Sequence, residues 1–419
     1  MKKSGLLLIL ILFFPALLRA EEIPLTLGEA VVFALRDNRD ILLVTEEVKK
    51  AKLKIAEVEA GLFPTLNFTG SWTQTRGYYT KDLSQATTQA TLKQYLYKGG
   101  KTINTIKYNG YKFEVNQAML DKTKLDTLLS VEKAFYTLLL AKELNKLNQA
   151  IVENTKEHLN FIKERYKSGQ ASESEALQLR SCLSTVQQAY EASVNQVESS
   201  QVLLANLLYL DKDVKINPKA EFIYEPKEVA FDEAFLKAMQ ARPEIKQYEA
   251  QAKADKANIE ITKADNRPQI YAAWDYYTRS HASATSTKNW NDYNVVGLTF
   301  SWPIFDGWAT KAKVEQAIVD LKSTQLLKEK TINDVALELK DAYISLKNAI
   351  AKIDSVEAEA RVYQDNLLSV KEKSEKGITS FLDLDDANLK YGISAFNKKQ
   401  AIYDYLLAKA SFDKAQGGI

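Results

Sequence analysis

The fold is decided by the stretch GLTFSWPIFDG at residues 297–307, where an alternating strand pattern ends before a long helical pattern begins. A related stretch, LYKGG, stands earlier at residues 96–100, so that Leu96 matches Ile304 with a shift of 208. Upstream, Pro64 matches Pro268 with a shift of 204, which leaves four extra residues within the second pair of strands. Repetition over such a distance predicts two copies of one structural unit.

The repeats predict the domain organisation. An export signal is expected first, because Lys2 and Lys3 precede a short apolar run. Each repeat is expected to contain a helix, a β-hairpin and a long helical hairpin. The expected bounds are a signal at 1–20, a first repeat at 21–210 (β-hairpin about 65–97, helical hairpin 101–210), a connecting segment at 211–230, and a second repeat at 231–417 (β-hairpin about 268–303, helical hairpin 308–415).

Charge and cysteine content exclude several classes of function. The chain has 56 basic and 54 acidic residues. This near-neutral balance offers no electrostatic case for binding nucleic acid. The single cysteine, Cys182, cannot form an internal disulfide.

The four predicted strands have the alternation of membrane strands. Leu66, Phe68 and Trp72 share one face of the first, and Val296, Leu298 and Phe300 share one face of the fourth, with polar residues opposite in the first. Apolar side chains facing lipid and polar ones facing a lumen are typical of a tilted strand of about 10 residues that crosses a bilayer. A soluble antiparallel sheet packed on a core is the alternative.

Four strands are too few to close a barrel. Unpaired strand edges cannot persist in lipid, because each unsatisfied backbone group costs several kcal/mol. Barrels begin at about 8 strands, so we expect three chains to supply four strands each to a twelve-stranded barrel. A dimer with eight strands is the geometric alternative.

Two helices are expected to be far longer than a globular core requires. Residues 101–168 and 308–376 contain no proline, and at about 1.5 Å per residue each would extend for about 100 Å. Apolar residues spaced alternately three and four apart predict coiled-coil packing. This seam consists of Ile332, Val335, Leu339, Ala342, Leu346, Ala349, Ile353, Val356, Ala360, Tyr363, Leu367 and Val370, with Val131, Ala134, Leu138, Ala141, Val152, Leu159 and Ile162 in the first repeat.

Glycine, proline and serine mark the ends of these elements. Gly169 and Gly377 are expected to end the long helices, with Ser172 and Ser380 capping the helices that return. Entry to and exit from the strands is expected at Pro64, Pro268, Gly99, Pro303 and Gly307.

The order of these elements resembles the TolC family of outer-membrane efflux proteins. The most specific segments are residues 297–307 and the stretch KGITSFLDLDDA at residues 376–387, and the resemblance covers about 25–417. It implies a mainly α protein with membrane β-strands: a trimeric twelve-stranded β-barrel in the outer membrane, four strands per chain, continued by an α-helical coiled-coil barrel across the periplasm.

The resemblance also implies the partners and the function. Similar proteins are the passive exit ducts of tripartite efflux pumps or type I secretion systems. A periplasmic adaptor protein and an inner-membrane transporter are the implied partners, besides the other protomers and outer-membrane lipid. The helix-hairpin tips, at Gly169, Gly377, Ser172 and Ser380, are the expected docking region for the adaptor.

The resemblance places a periplasmic gate at the same tips. Asp383 and Asp386 match an acidic double ring that lines the constriction in similar proteins, and Glu175 occupies the equivalent place in the first repeat. Residues three apart share a helix face, so Asp383 and Asp386 are expected to face the lumen together and to favour cations. The alternative is that these carboxylates only stabilise helix starts.

One feature departs from the family pattern. The best-known members hold the tip closed with a tyrosine and an arginine that flank the tip glycine of the second repeat. The matching residues in this sequence are Ser374 and Thr379. Closure by Lys373, Lys376 or Arg180 is the expectation instead.

An enzyme and a structural protein are the remaining classes. The chain has only two histidines, His158 on a heptad-type helix and His281 in a predicted external loop. It lacks the motifs of a metal site, a nucleophile elbow or a phosphate loop. The adjacent carboxylates Asp385 and Asp386 are expected at the helix surface or in the pore lining and not as an acid–base pair. We therefore expect no enzymatic activity and no cofactor. An exported trimeric coiled-coil stalk or adhesin without a pore is the alternative function, although the duplicated hairpins have no place in it.

Overall fold

The structure is a computed structural model that describes residues 22–78, 81–211, 214–226, 230–283, 286–376 and 378–418. The expected export signal at 1–20 and the tip glycine Gly377 lie outside the described residues.

Eight helices and six strands occupy the described ranges. In chain order they are β1 (Glu22–Leu25), α1 (Leu27–Asp37), α2 (Arg39–Glu59), β2 (Thr65–Tyr78), β3 (Lys81–Lys98), α3 (Lys101–Lys167), α4 (Glu173–Leu207), β4 (Lys215–Pro218), α5 (Phe231–Ala241), α6 (Pro243–Lys263), β5 (Gln269–Ser283), β6 (Ser286–Ser301), α7 (Ala309–Glu375) and α8 (Phe381–Ala415). None of the described helices has an apolar stretch long enough to cross a membrane. His281, expected in a loop, belongs to β5.

The helix expected before each hairpin is two helices. The first pair breaks at Asn38 and the second at Arg242, where the backbone becomes extended, with ψ of 124° and 123°. Pro243 explains the second break, because a proline disfavours helical geometry in the residue before it.

The chain divides into two compact units, and each draws on both sequence repeats. The first unit contains the described residues of 22–38, 127–226 and 347–410, and the second those of 39–126, 230–346 and 411–418. The bounds of the predicted repeats therefore do not coincide with those of the two compact units.

The first unit has an apolar core around α3. Phe135 and Leu138 of α3 pack with Leu204 and Leu208 near the end of α4 and with Ile216 of β4. β4 pairs in parallel with β1, so that Ile23 lies opposite Ile216. The connecting segment is thereby fixed to the start of the described chain.

The predicted seam coincides with buried side chains. All seven seam residues of α3, from Val131 to Ile162, are buried, as are Val335, Leu339 and Ile353 on α7. From Val356 to Val370 the α7 seam is only half-buried within the protomer. This last part is available to pack against another chain.

The second unit contains a four-stranded antiparallel sheet in the order β2-β3-β5-β6. Leu66, Leu92, Trp274 and Val296 lie directly opposite one another across the four strands and therefore share one face. That face is open to the surroundings, since Phe68 is 74% exposed and Val296 80% exposed. A soluble sheet would cover such a surface, because large exposed apolar patches mark interaction sites.

The opposite face of the sheet is polar at its centre. Gln89 Nε2 donates hydrogen bonds to Asp275 Oδ1 and to the Tyr277 hydroxyl, both at 2.9 Å, and the Thr91 hydroxyl donates to the same carboxylate at 2.5 Å. The ring of Tyr277 stacks on that of Tyr293 with centroids 4.9 Å apart. The two faces thus differ in the way that the alternation of the sequence predicts.

A glycine turn joins β3 to α3. Gly99 has φ of +63°, and an added Cβ would lie 2.8 Å from the Arg267 Cβ and 3.0 Å from the Ala264 carbonyl oxygen. Arg267 Nη1 also donates to the Gly99 carbonyl at 3.1 Å. The turn therefore holds the end of the first hairpin against the start of the second.

Replacing Leu138 by alanine should destabilise the first unit. Its side chain is fully buried, and truncating a buried leucine costs about 2–5 kcal/mol. Guanidinium denaturation in detergent measures the free energy of unfolding. Leu177→Ala on α4 is the control, because Leu177 is 57% exposed and should lose less than about 0.5 kcal/mol. Equal losses would contradict the assigned core.

Three glycine-to-alanine variants should lose stability in the order of the backbone strain that each introduces. Gly99→Ala should cost the most, since it combines a left-handed backbone with a close contact. Gly307→Ala should cost about 1–2 kcal/mol from conformation alone, because its φ is +67° and nothing lies within 4 Å. Gly297→Ala, in open space on β6, is the control and should be neutral or slightly stabilising. Melting temperatures in any other order would contradict the turn geometry.

Candidate functional site

The first helix-hairpin tip is a glycine-ended helix followed by a capped one. Gly169 has φ of +73°, and Gln170 N–H donates to the Arg165 carbonyl at 2.8 Å, as in a Schellman end. Ser172 is the N-cap of α4. The Glu175 N–H donates to Ser172 Oγ at 3.2 Å, and the Ser172 N–H donates to Glu175 Oε2 at 2.9 Å, which is a capping box.

The second tip repeats this arrangement in its described residues. Ile378 N–H donates to the Lys373 carbonyl at 2.9 Å. The Ser380 backbone N–H and hydroxyl both donate to Asp383 Oδ2, at 3.1 and 2.7 Å, and the Asp383 N–H donates to Ser380 Oγ at 3.2 Å. Asp383 therefore occupies the place of Glu175, in agreement with the shift of 208.

The carboxylates predicted for the gate have different surroundings. The hydrogen bonds from Ser380 lower the pKa of Asp383 below its ordinary value. Asp386, one turn further along α8, is exposed and forms an ion pair with Lys390 at 2.7 Å. Glu175 lines a cleft of about 360 Å³ together with Leu382, the neighbour of Asp383 in the chain. Glu175 and Asp383 serve as caps, and both side chains are exposed.

The residues around the missing latch are not buried. Lys373, Lys376 and Arg180 are exposed, and Ser374 and Thr379 are half-buried.

The residues expected at the strand ends lie where the strands begin and end. Pro64 and Pro268 directly precede β2 and β5, and Pro303 follows β6. Past Gly307, Trp308 also has a positive φ of 70°, in the place that Gly100 holds in the first repeat. Asp306 then caps α7 by accepting a hydrogen bond from the Thr310 N–H at 2.8 Å.

Asp385 corrects the sequence interpretation, which placed it at the helix surface or in the pore lining. It is 8% exposed and lies against α3, where Asn154 Nδ2 donates to Oδ1 and His158 Nε2 contacts Oδ2. Burial raises the pKa of Asp385 above its ordinary value, against the opposing effect of His158. The sequence carried one signal of this burial: Leu382, Asp385 and Leu389 follow the three–four spacing of a buried stripe.

Within the described ranges, no group of three or more histidine, cysteine, aspartate or glutamate side chains is placed to hold a metal ion.

The chain is similar in fold to solved channel structures. It is 17% identical to the CmeC outer membrane channel of Campylobacter jejuni, covering 94% of this chain and 85% of that one with a TM-score of 0.76. It is 17% identical to the open state of the MtrE outer membrane channel of Neisseria gonorrhoeae (94% and 89% covered, TM-score 0.76). For the VceC outer membrane protein of Vibrio cholerae the values are 15% identity, 94% and 96% covered, and a TM-score of 0.73. No curated protein matches the chain significantly.

A family model decides the membership that these similarities in fold leave open. The model of the outer membrane efflux protein family matches residues 31–208 and 236–418, which is most of the chain. The family expectation is thereby confirmed, and the stalk or adhesin alternative finds no support. The chain belongs to the outer membrane efflux protein family, as an efflux channel of the outer membrane.

Proposed function

We propose that three copies of the chain form the exit duct of a tripartite efflux pump or a type I secretion system. Each copy would contribute its four strands to a twelve-stranded barrel and its long helices to a coiled-coil tunnel in the periplasm. The observation that carries this proposal is the sheet β2-β3-β5-β6, whose apolar face is exposed and whose outer strands pair along one side only in the described chain.

The edges of the sheet favour closure between chains. In the hydrocarbon core, each unpaired backbone N–H or C=O group costs several kcal/mol. β2 and β6 contain 14 and 16 residues, so leaving both edges open in lipid would be prohibitive. Pairing β2 of one protomer with β6 of the next would satisfy both edges. Three protomers give enough strands for a pore, whereas eight strands are filled by their own side chains.

The helices support a tunnel made by several chains. The α7 seam from Val356 to Val370 is half-buried in the protomer, although its spacing is that of a packed coiled coil. In the proposed trimer this part of α7 packs against a neighbouring protomer. The repeats at 21–210 and 231–417 would each supply one helical hairpin to the wall.

The gate is proposed at the tips, where Asp383, Asp386 and Glu175 carry their negative charge. Capping uses only part of each carboxylate, because Ser380 bonds to one oxygen of Asp383 and Ser172 to one oxygen of Glu175. The other oxygen would remain available to the lumen. Threefold repetition of these charges would favour cations at the constriction, as acidic rings do in other channels.

The proposed partners are those that would supply the energy for export. A passive duct needs a transporter in the inner membrane to drive export and a periplasmic adaptor to connect the two. We propose that the adaptor docks at the tips around Gly169, Ser172 and Ser380, and at Gly377 beyond the described residues. The repeated backbone geometry of the two tips supports this, because an adaptor could bind both in the same way.

Neutralising the proposed ring should weaken cation preference. Asp383→Asn combined with Asp386→Asn removes two carboxylates per protomer, and the asparagine at 383 can still accept the capping hydrogen bonds. In planar bilayers with a KCl gradient, the permeability ratio of potassium over chloride should fall several-fold, because the charge that attracts cations is lost.

The matched control is Asp320→Asn on α7, which removes an exposed carboxylate 55 residues before the end of that helix. It should leave the permeability ratio unchanged. A ratio that the double variant does not alter would rule out the ring, and a well-folded protein that neither forms trimers nor conducts in any variant would rule out the duct.

A further inference from the structure

α3 and α8 pack against each other within the first unit through a series of contacts that runs towards the tips. Thr137 and Tyr403 hydroxyls lie 2.9 Å apart. Next, Lys399 forms an ion pair with Glu143, and then Gly392 lies so close to Leu147 that an added Cβ would be 3.4 Å from its Cδ1. As the residue number rises along α3 it falls along α8, as expected for antiparallel helices.

The last contact in this series is the pair of His158 and Asp385. His158 lies nine residues before the end of α3, and Asp385 lies five residues into α8. At about 3.6 residues per turn, both are within about three turns of the tips. The pair joins the helical hairpin of the first repeat to that of the second. Moving the two tips apart requires this contact to break before the others.

The pair is polar, although the neighbouring positions of the same helix face on α8 hold apolar side chains. Asp385 lies in the stripe of Leu382 and Leu389, and its side chain and that of His158 are only 10% and 18% exposed. A buried carboxylate is stable only when it is neutralised and hydrogen-bonded. Asn154 supplies a hydrogen bond to one oxygen, and His158 faces the other.

Two further carboxylates act on Asp385 besides the imidazole, and one of them, Asp386, forms an ion pair with Lys390. From α3, Glu157 acts on Asp385, and so does Asp386 from α8. From α4, Glu175 and Cys182 line the same cleft as His158. Of the groups around this cleft, the imidazole is the one that can bring a positive charge to Asp385. Histidine is also the side chain that ordinarily gains and loses a proton between about pH 5 and 8.

We propose that His158 and Asp385 are gate-positioning residues, which hold α3 against α8 and the tip closed while the pair carries one proton. With that proton, the pair has no net charge and fits the buried site. Without it, a buried carboxylate faces Glu157 and Asp386 with no compensating charge, and the helices separate. This inference rests on the proposed function and supplies a closing contact in place of the missing latch.

The direction of the pH effect follows from the burial of Asp385. Burial raises the pKa of Asp385, so the packed arrangement binds a proton more tightly than an arrangement in which the carboxyl is exposed. The contribution of the pair to closure is therefore present at low pH and is lost as the pH rises. Asp383 has the opposite shift, because Ser380 lowers its pKa. The proposed ring at Asp383 is thus ionised throughout the range in which the pair responds.

The test is the open probability of the full-length protein in planar bilayers from pH 5.5 to 8.5 at constant ionic strength. The wild type should open several-fold more at the upper end, because the proton that the packed pair binds is lost as the pH rises. If the open probability of the wild type does not change with pH, the proposal is wrong, whether the channel is open or closed. No variant is needed for that result.

Variants separate this role from simple packing. Asp385→Asn should stay closed with a flat profile, because the amide keeps the shape and has no charge. His158→Gln should open more at every pH, since the carboxylate then has no compensating charge, and adding Asp385→Asn should restore closure. Glu191→Gln, an exposed change on α4, is the control and should keep the wild-type response.

The outcomes also distinguish this inference from the proposed duct. Conductance from a trimer in which Asp385→Asn retains the pH response would overturn the pair and leave the duct intact. Absence of both trimer and conductance in all variants would overturn the duct itself. Equal loss of heat stability in His158→Gln and Asp385→Asn, with the pH response unchanged in both, would reduce the pair to a packing contact.

Discussion

Unpaired backbone at the two edges of one sheet is the constraint on which the architecture depends. β2 and β6 pair along one side only in the described chain, and this chain is an outer membrane channel. Hydrocarbon offers no water to satisfy those groups. The apolar face of the sheet, with Leu66, Trp274 and Val296 in one row, fits lipid. In the proposed trimer, other copies of the chain would satisfy these edges.

At the tips, two long helices end and two others begin within a few residues. Both tips use the same devices: a helix end closed by backbone hydrogen bonds, followed by a serine and a carboxylate that cap the next helix. This geometry places negative charge at the tips as a by-product of capping. The proposed gate would use that charge for selectivity, and the contact between α3 and α8 at His158 and Asp385 for closure.

Local features were predictable from the sequence, whereas distant pairings were not. The strand alternation from Thr65 onwards and the seam from Val131 to Ile162 appear as periodic patterns, so strands and buried helix faces followed from them. The parallel pairing of β1 with β4 joins residues 193 positions apart, and four-residue strands have no periodic signal. The burial of Asp385 depends on the register between α3 and α8. A charged residue in an apolar stripe indicated it, but no local pattern indicates which residue lies opposite.

Cysteine cross-linking between the outer strands tests the central claim most directly. In a Cys182→Ser background, Phe68→Cys on β2 is combined in turn with cysteine at Asn294, Val296, Leu298 or Phe300 on the same face of β6. Within one chain these strands are three spacings apart, about 14 Å, beyond the reach of a disulfide, about 7 Å. A covalent trimer at one register on a denaturing gel is the predicted result. No cross-link at any register, or none larger than a dimer, would contradict the shared barrel of three chains.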